Sequence, residues 1–295
     1  MKIAVLGPVC KDFIKIDDKL NIQLGGIPYY VGVALKNLDI EEVVVYATFG
    51  KNDKDWILEN FKGVHVEPIL FENTLESHSE YSSENPDVRR NFIQYYPNSI
   101  QANDQFLQEL ERFDWILLSP LFQDNIPFEL FSKLKHKNLA HGNFGMFTYG
   151  ENGKFVRKNP ENLIKVLPFL QYLFLDKNEA AFVSGKSTIE ESAEFFHACG
   201  LPNSIITDGS QGSHVFIGEK YFKIPAFKPE KMVDPTGAGD TYMAAFIMAT
   251  ELFDNPEKQG QFAAMVATIS LEKRGAFDSN MKEVLGRLSV VNNEK

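Results

Sequence analysis

Four short runs of apolar residues set the strongest limit on the fold of this chain. They occupy residues 3–6, 43–46, 115–118 and 172–175. Unbroken apolar runs of this length are typical of strands that are buried on both faces. Helical stretches separate them, which indicates βαβ units and a parallel sheet. The sequence therefore predicts an α/β fold on a mostly parallel sheet.

The regular alternation stops between residues 64 and 97. Three short stretches with polar flanks indicate strands there, and no helical pattern lies between them. A second departure covers about residues 10–25, where polar and apolar residues alternate. We expect these two segments to form a small β-sheet that stands off the main one as a lid, within one domain that covers residues 1–295.

Composition excludes several classes of function. The formal net charge is −10, and there is no basic run of the kind that follows a phosphate backbone, so we do not expect a nucleic-acid partner. No apolar run reaches 18 residues, so we expect no membrane span. Cys10 and Cys199 are not in a metal-binding spacing, and reduced thiols are typical of the cytoplasm. We expect a soluble cytoplasmic protein.

The segment that carries the clearest chemistry is Gly237-Ala238-Gly239-Asp240. Two glycines flank a small residue where a loop becomes a helix, so backbone amides can approach an anion closely. An acidic side chain beside an anion site would repel phosphate, but it suits a proton acceptor next to a transferring phosphoryl group. An ordinary helix start with an acidic first turn remains the alternative.

Two other anion-binding motifs do not fit. A dinucleotide-binding fingerprint requires a third glycine, and Tyr242 stands at that position. A P-loop requires Gly-Lys-Ser/Thr, which occurs at residues 185–187, but its first glycine would fall on Ala180.

With Asp234 included, this segment resembles the D-x-x-G-A-G-D signature of the ribokinase-like (PfkB) carbohydrate kinases. Further family features follow in the expected order over about residues 3–280. The resemblance implies a doubly wound α/β fold with a small β lid. It also implies that Gly237, Ala238 and Gly239 supply amides of an anion hole and that Asp240 is the catalytic base.

On the acceptor side, Gly25 and Gly26 resemble the family's di-glycine hinge between lid and core. Asp12 stands where the family keeps an aspartate that accepts hydrogen bonds from sugar hydroxyls. Tyr30 replaces an asparagine that touches the acceptor, so it either forms a wall against the acceptor or packs in the core. Arg90 on the lid could meet an anionic acceptor or lie on a solvated face.

The segment that begins at Asp176 and contains Glu179 is similar to the family's Asn-x-x-Glu motif, with aspartate in place of asparagine. In the family this motif orders Mg²⁺ and its waters near the phosphates. Carboxylates that hold Mg²⁺ partly through water suit that ion, which loses its hydration shell reluctantly. The resemblance implies Mg²⁺ as cofactor, with Glu179 near the metal and Asp176 near the nucleotide.

The remaining nucleotide contacts follow from two further segments. Thr207, Gly209 and Gly212 resemble the Thr-x-Gly-x-x-Gly turn that lines the nucleotide. Ala264 lies in a stretch that resembles the helix bordering the adenine pocket.

Taken with the resemblance, these features predict an ATP-dependent kinase whose acceptor is a hydroxyl of a small polyol: a sugar, a cyclitol or a nucleoside. Two alternatives remain open. One is a kinase of a vitamin-like hydroxymethyl heterocycle, against which the lid argues. The other is a non-enzymatic member of the fold that binds a ligand. An exposed lid edge would also allow a homodimer through the lid.

Overall fold

The computed structural model describes residues 1–16, 18–81, 89–142 and 145–293, with side chains except at 16, 81, 89–91 and 291–293. The strands of the described residues are β1 (Lys2–Pro8), β2 (Cys10–Ile16), β3 (Lys19–Gly25), β4 (Glu42–Gly50), β5 (His65–Phe71), β6 (Leu75–Tyr81), β7 (Arg89–Gln94), β8 (Trp115–Leu118), β9 (Asn138–Gly142), β10 (Thr148–Glu151), β11 (Lys154–Arg157), β12 (Tyr172–Asp176), β13 (Asn203–Thr207), β14 (Ser213–Ile217) and β15 (Lys220–Ile224). The α-helices are α1 (Ile27–Asn37), α2 (Lys54–Asn60), α3 (Asp104–Leu110), α4 (Phe128–Lys133), α5 (Glu161–Ile164), α6 (Lys177–Ser184), α7 (Ile189–Ala198), α8 (Ala238–Leu252), α9 (Pro256–Ser270) and α10 (Met281–Asn293).

A large sheet runs through the middle of the molecule in the order β15-β14-β13-β12-β9-β8-β1-β4-β5. The strands from β13 to β5 are parallel to their neighbours, and β14 and β15 add an antiparallel hairpin at one edge. Strand β1 pairs with β4 on one side and with β8 on the other. The predicted α/β fold with a mostly parallel sheet is confirmed.

The sheet is covered on both faces, which explains the unbroken apolar runs in its strands. In β1, Ile3 and Val5 pack into one core cluster with α1, α8 and α9. Ala4 and Leu6 point to the opposite face and pack into a second cluster with α3, α4 and α7. Successive side chains of a strand face opposite ways, so a strand buried on both faces has no polar alternation.

A separate four-stranded sheet has the order β3-β2-β6-β7. Strands β2 and β3 lie within the predicted lid segment 10–25, and β6 and β7 lie within the segment 64–97. The lower boundary of that second segment is wrong, because β5 pairs in parallel with β4 at the edge of the large sheet. An edge strand that is only half buried carries polar residues such as His65 and Glu67, which gave it the pattern of a lid strand.

A short antiparallel hairpin, β10–β11, was not predicted. Its turn lies against the lid, where the backbone N–H of Ile93 in β7 donates a hydrogen bond of 2.8 Å to the carbonyl of Gly153. The hairpin therefore joins the lid sheet to the body of the protein. In the part of the chain that the structure describes, no helix has the length and apolar character needed to cross a bilayer.

Candidate functional site

A cavity of about 1050 Å³ opens at the carboxyl ends of β12 and β13. Ligands of open α/β sheets bind at this end of the strands. Its lining includes Asp176 at the end of β12, Thr207 at the end of β13, and Asp240 in the first turn of α8. Parallel pairing brings Asp176 and Thr207 side by side in the register of the two strands. Residues far apart in the sequence thus meet at one edge of the sheet.

The loop before α8 is shaped for close approach to an anion. Gly237 has a φ of 76°, a left-handed conformation that glycine adopts without strain. Its carbonyl accepts a hydrogen bond of 2.8 Å from the N–H of Thr241, which closes the first turn. The amides of Gly239 and Asp240 belong to that turn, where N–H groups have no acceptor within the helix. Gly237, Gly239 and Asp240 all line the cavity.

Asp240 lies where the cavity meets the base of the lid, and it is 9% exposed. Its position is evident from two neighbours on the lid side. Burial raises the pKa of the Cys10 thiol well above its usual value, and the carboxylates of Asp12 and Asp240 raise it further. Burial also raises the pKa of Tyr30, with further contributions from Asp12, Cys10 and Asp240. Asp12 and Asp240 are therefore both close enough to Cys10 and Tyr30 to act on them electrostatically.

Asp12, on lid strand β2, rests against the di-glycine segment. A Cβ atom at Gly25 would lie 2.2 Å from the Asp12 Oδ2 atom, so only glycine leaves room for this carboxylate. The Cys10 thiol donates a hydrogen bond of 3.2 Å to Asp12 Oδ1. Gly26 has a φ of +97°, and its Cβ would lie 2.8 Å from the carbonyl oxygen of Pro8. The two glycines thus serve different steric needs at the lid base.

The two tyrosines at the start of α1 differ in their surroundings. Tyr29 packs edge-on against Phe61, with ring centroids 5.7 Å apart, and belongs to the core. Tyr30 is 3% exposed, and its ring covers Gly237. The Tyr30 Oη atom is buried and has no hydrogen-bond partner among the described residues. An unpartnered buried hydroxyl close to two carboxylates indicates a group that a ligand can engage.

A polar row on the same face of the lid was not predicted from the sequence. Gln23 in β3 and Ser77 in β6 are the cross-strand neighbours of Asp12, and paired residues share one face of a sheet. The Gln23 Nε2 atom is buried and lacks a hydrogen-bond partner in the described part of the chain. Only the register of the lid sheet reveals this row, because Gln23 meets Asp12 through the pairing of a hairpin and Ser77 is far from both in the sequence.

Asp176 and Glu179 form a capping box at the start of α6. The Asp176 carboxylate accepts hydrogen bonds from the N–H groups of Asn178 and Glu179, and the Glu179 carboxylate accepts one of 2.9 Å from the N–H of Asp176. Glu179 is 3% exposed, and its Oε1 lies 3.6 Å from the guanidinium of Arg157. Burial, with a contribution from Asp176, raises the pKa of Glu179 to about 7.

These oxygen donors fit a bound Mg²⁺. A buried carboxylate with a raised pKa is one that a nearby cation would keep ionised, and Mg²⁺ prefers oxygen ligands. Within the described ranges, no group of three or more acidic, histidine or cysteine side chains forms a complete protein cage. Asp176 and Glu179 would therefore hold the ion together with phosphate oxygens and water, as Mg²⁺ usually requires.

A second, apolar pocket of about 590 Å³ adjoins the cavity. Thr207 and Gly209 line both spaces, whereas Gly212 and Ala264 line the apolar pocket alone. Gly212 has a φ of +94°, and its Cβ would lie 2.0 Å from the Ile224 carbonyl oxygen, so the turn requires glycine there. The pocket has the size and apolar lining of a site for one planar ring system.

The wall of this pocket is tied to the loop that leads to α8. The carbonyl of Leu271, at the end of α9, accepts hydrogen bonds from the N–H groups of Val233 and Asp234, at 2.8 and 3.2 Å. The Asp234 carboxylate in turn accepts one of 2.9 Å from the N–H of Thr236. Leu271 lines the apolar pocket, so the two halves of the site share one hydrogen-bonded segment.

Two arginines differ in how the sequence and the structure place them. Arg90 was predicted to contact the acceptor, but its side chain lies outside the described residues, and its backbone pairs with Glu80 in the lid. Arg157, at the end of β11, lines the cavity and was not predicted. No motif marks this residue, since only the fold of the β10–β11 hairpin brings it to Glu179.

Known proteins share this fold over nearly the whole chain. A pyrophosphate-dependent kinase of the ribokinase family superimposes with a TM-score of 0.78 at 24% identity, over 96% of this chain and 99% of that one. The ribokinase of Arabidopsis thaliana, solved with ribose and ATP, gives a TM-score of 0.78 at 22% identity, over 97% and 98% of the two chains. At these identities the likeness establishes the fold.

Sequence comparison gives the family. The nucleoside kinase of Methanocaldococcus jannaschii is 30% identical over 142 residues, which are 48% of this chain and 46% of that protein. This match thus spans about half the length of that curated relative. The model of the pfkB family of carbohydrate kinases matches residues 2–283. With the ribokinase fold and the loop at the start of α8, this match shows that the chain belongs to the pfkB carbohydrate kinase family.

Proposed function

We propose that this chain is an ATP-dependent kinase that transfers the γ-phosphoryl group to a hydroxyl of a small polyol acceptor. The observation that carries the proposal is the position of Asp240. It stands in the first turn of α8, at the junction between the cavity and the lid face that carries Asp12. A carboxylate beside backbone amides, with an acceptor wall opposite, suits proton removal during phosphoryl transfer.

In the proposed reaction, an acceptor hydroxyl attacks the γ-phosphorus while Asp240 takes its proton. The new O–P bond forms as the bond between the γ-phosphorus and the β,γ-bridging oxygen breaks, and ADP leaves with that electron pair. The amides of residues 237–240 stabilise charge on the transferred group. Mg²⁺ held near Glu179 supplies neutralisation of the phosphate charge. The lid excludes water, which would otherwise compete as acceptor.

The apolar pocket supports a nucleotide donor. It continues from the cavity through Thr207 and Gly209 and ends at Ala264 on α9. A purine ring would bury apolar surface there, whereas pyrophosphate would leave the pocket without a function. ATP is therefore proposed as the donor, although a pyrophosphate-dependent enzyme shares the fold.

The lid face supports a polyol acceptor. Gln23, Asp12 and Ser77 form a polar row, and the Tyr30 hydroxyl lies near Asp12, the middle residue of that row. Such a set offers both donors and acceptors to neighbouring hydroxyl groups, as in a sugar, a cyclitol or the ribose of a nucleoside. A four-stranded lid argues against a hydroxymethyl heterocycle as acceptor, and the presence of Asp240 argues against a non-enzymatic role.

Acceptor-dependent ADP release from Mg-ATP tests the proposal across pentoses, hexoses, cyclitols, nucleosides and sugar phosphates, with pyrophosphate as a second donor. We expect Asp240→Asn to lower kcat by about 1,000-fold or more while ATP affinity stays unchanged, because the base acts in the transition state. Asp254→Asn, on an exposed loop, is the matched control. Normal turnover by Asp240→Asn would refute the base assignment, and a response only to pyrophosphate would refute the donor.

We also propose a homodimer through the lid. The face opposite Asp12 carries a mainly apolar row across four strands: Ile22, Phe13, His78 and Phe92 are successive cross-strand neighbours, and the His78 ring stacks on Phe13. Ile22 is 45% exposed and Phe92 is 53% exposed. A second copy would cover this row and the unpaired edge of β3.

Cys10 and Cys199 are free thiols, which supports the proposed cytoplasmic location.

A further inference from the structure

The cavity has two distinct ends. It opens into the apolar pocket, and the lining that the two spaces share includes Thr207, Gly209, Ala238 and Gly239. Arg157, Glu179 and Asp240 line the cavity but not the apolar pocket, so they form the end of the cavity beyond this shared wall. A nucleotide whose base occupies the apolar pocket would direct its terminal phosphate toward these three residues.

Among the described residues that line the cavity, Lys177 and Arg157 carry a positive charge, and they have different surroundings. Lys177 lies 2.5 Å from Asp208, so this cation is held beside the nucleotide turn. Arg157 is the lining cation on the side of Glu179 and Asp240. Its guanidinium forms an ion pair of 3.6 Å with Glu179 Oε1, and its side chain is 40% exposed. A phosphoryl group would offer the paired oxygen acceptors that a guanidinium binds best.

The hairpin that carries Arg157 also contacts the lid. Arg157 pairs with Thr148 at the base of the hairpin. At its turn, the Gly153 carbonyl accepts the hydrogen bond from Ile93 of lid strand β7. A Cβ atom at Gly153 would lie 2.3 Å from the Phe92 ring, so turn and lid are in close contact. A movement of β7 would therefore be transmitted along a hairpin four residues long on each side.

We infer that Arg157 is a catalytic residue that binds the transferring phosphoryl group, and that the β10–β11 hairpin makes its position depend on the lid. The inference rests on the proposed kinase function. When the lid closes over an acceptor, the hairpin moves with β7 and brings the guanidinium to the γ-phosphoryl oxygens. Arg157 then stabilises charge at the same stage of the reaction at which Asp240 removes the proton.

Substitution of Arg157 tests the phosphoryl contact. We expect Arg157→Gln to lower kcat by about 100-fold, as removal of one preorganised donor does, and Arg157→Lys to retain part of the rate. Guanidinium added to Arg157→Ala should restore activity, which a purely structural role would not allow. Lys154→Gln, on the same hairpin but outside the cavity, should behave as the unsubstituted enzyme.

Calorimetry tests the same contact without turnover. With the acceptor present at saturation, we expect Arg157→Gln to weaken binding of the β,γ-imido analogue of ATP about tenfold, because one charged contact is lost, and to leave ADP affinity unchanged. Equal affinities of Arg157→Gln and the unsubstituted enzyme for the analogue under these conditions would overturn the inference. If the unsubstituted enzyme shows no acceptor-dependent turnover, the kinase proposal fails. Normal turnover by Arg157→Gln would refute the role of Arg157 and leave the kinase proposal standing.

A substitution at the hairpin turn tests the lid connection. Gly153→Val places a side chain against Phe92 at a φ of +74° and should push the turn away from β7. We expect kcat to fall at least tenfold at saturating acceptor, with ADP affinity unchanged. Gly218→Val is the matched control, since Gly218 also has a positive φ of +56° in a hairpin turn but has nothing within 4 Å of its Cβ position. Equal kcat in both variants would refute the connection.

Discussion

The ring of Tyr30 covers Gly237 so closely that a Cβ atom at Gly237 would lie 2.3 Å from the Tyr30 Cδ1 atom. One residue belongs to the first turn of α1 and the other to the loop before α8, so this contact aligns the N-terminal half of the site with the C-terminal half. The backbone amides and the acceptor wall are positioned by the same packing.

Replacement of Gly237 by alanine should therefore damage both stability and activity. The left-handed φ of 76° disfavours any side chain by about 1 kcal/mol, and the clash with Tyr30 adds to that cost. We expect the free energy of unfolding to fall by about 2 kcal/mol and kcat/KM to fall at least tenfold. Gly239→Ala is the control for stability in denaturant titrations, because nothing lies within 4 Å of its Cβ position. Equal stability losses would contradict the steric argument.

Tyr30→Phe separates ligand recognition from packing. The ring stays and only the Oη atom is lost, which has no partner among the described residues, so stability should change by less than about 1 kcal/mol. We expect the KM for the acceptor to rise about tenfold while nucleotide affinity stays the same. Tyr46→Phe, which removes a hydrogen bond of 2.6 Å to Glu109, should destabilise the fold without changing acceptor KM. An unchanged acceptor KM in Tyr30→Phe would show that Tyr30 only packs.

Burial of His141 should make stability fall in mild acid. Burial lowers the pKa of His141 from 6.5 to about 4, so between these values the unfolded chain binds a proton that the folded chain does not. Stability is therefore complete above pH 6.5 and falls as the pH decreases toward 4, by up to about 1.4 kcal/mol per pH unit. His141→Gln should flatten this dependence in denaturant titrations at several pH values, and the exposed His197→Gln should not. Equal slopes in all three proteins would refute the assignment.

Glu179→Gln should alter the response to Mg²⁺ more than the fold. The glutamine oxygen can still accept the hydrogen bond from the Asp176 N–H, but the charge that we propose to attract Mg²⁺ is lost. We expect chelation to abolish turnover of the unsubstituted enzyme, and the Mg²⁺ concentration for half-maximal rate in Glu179→Gln to rise about tenfold. Glu191→Gln is a close control, since Glu191 occupies the same position of a capping box at the exposed start of α7. An unchanged Mg²⁺ dependence in Glu179→Gln would show that Glu179 does not contribute to Mg²⁺ binding.

The proposed lid dimer predicts a change of mass on substitution of its apolar row. Ile22→Asp places a charge at the β3 end of that row, and we expect a dimer to become a monomer in light scattering coupled to size-exclusion chromatography. Leu285→Asp on α10 is matched in exposure, at 44% against 45%, and should leave the mass unchanged. A monomeric unsubstituted protein would refute the dimer.

The apolar runs of the sequence predicted the large sheet because each strand is buried on both faces. Strand β5 was assigned to the lid because an edge strand carries polar residues such as His65 and lacks that signature. The segment from Gly237 to Asp240 could be identified in the sequence, since its residues are consecutive and the chemistry requires their order.

The rest of the site depends on relationships that a sequence does not display. Gln23 becomes a neighbour of Asp12 only through the register of β2 and β3. Arg157 lies in a polar stretch, and only the pairing of β10 with β11 carries it to Glu179. Each of these placements arises from the register of two short strands in a hairpin, for which local composition is a poor guide.

The two hydrogen bonds at the Leu271 carbonyl imply that donor identity can be read from amide hydrogen exchange. A base in the apolar pocket would restrain Leu271 and with it the N–H groups of Val233 and Asp234. Binding of ATP should therefore slow exchange at these two amides, while pyrophosphate, which has no base, should leave their rates almost unchanged. The strength of this local protection would rank nucleobases by fit, independently of how fast any phosphoryl group is transferred.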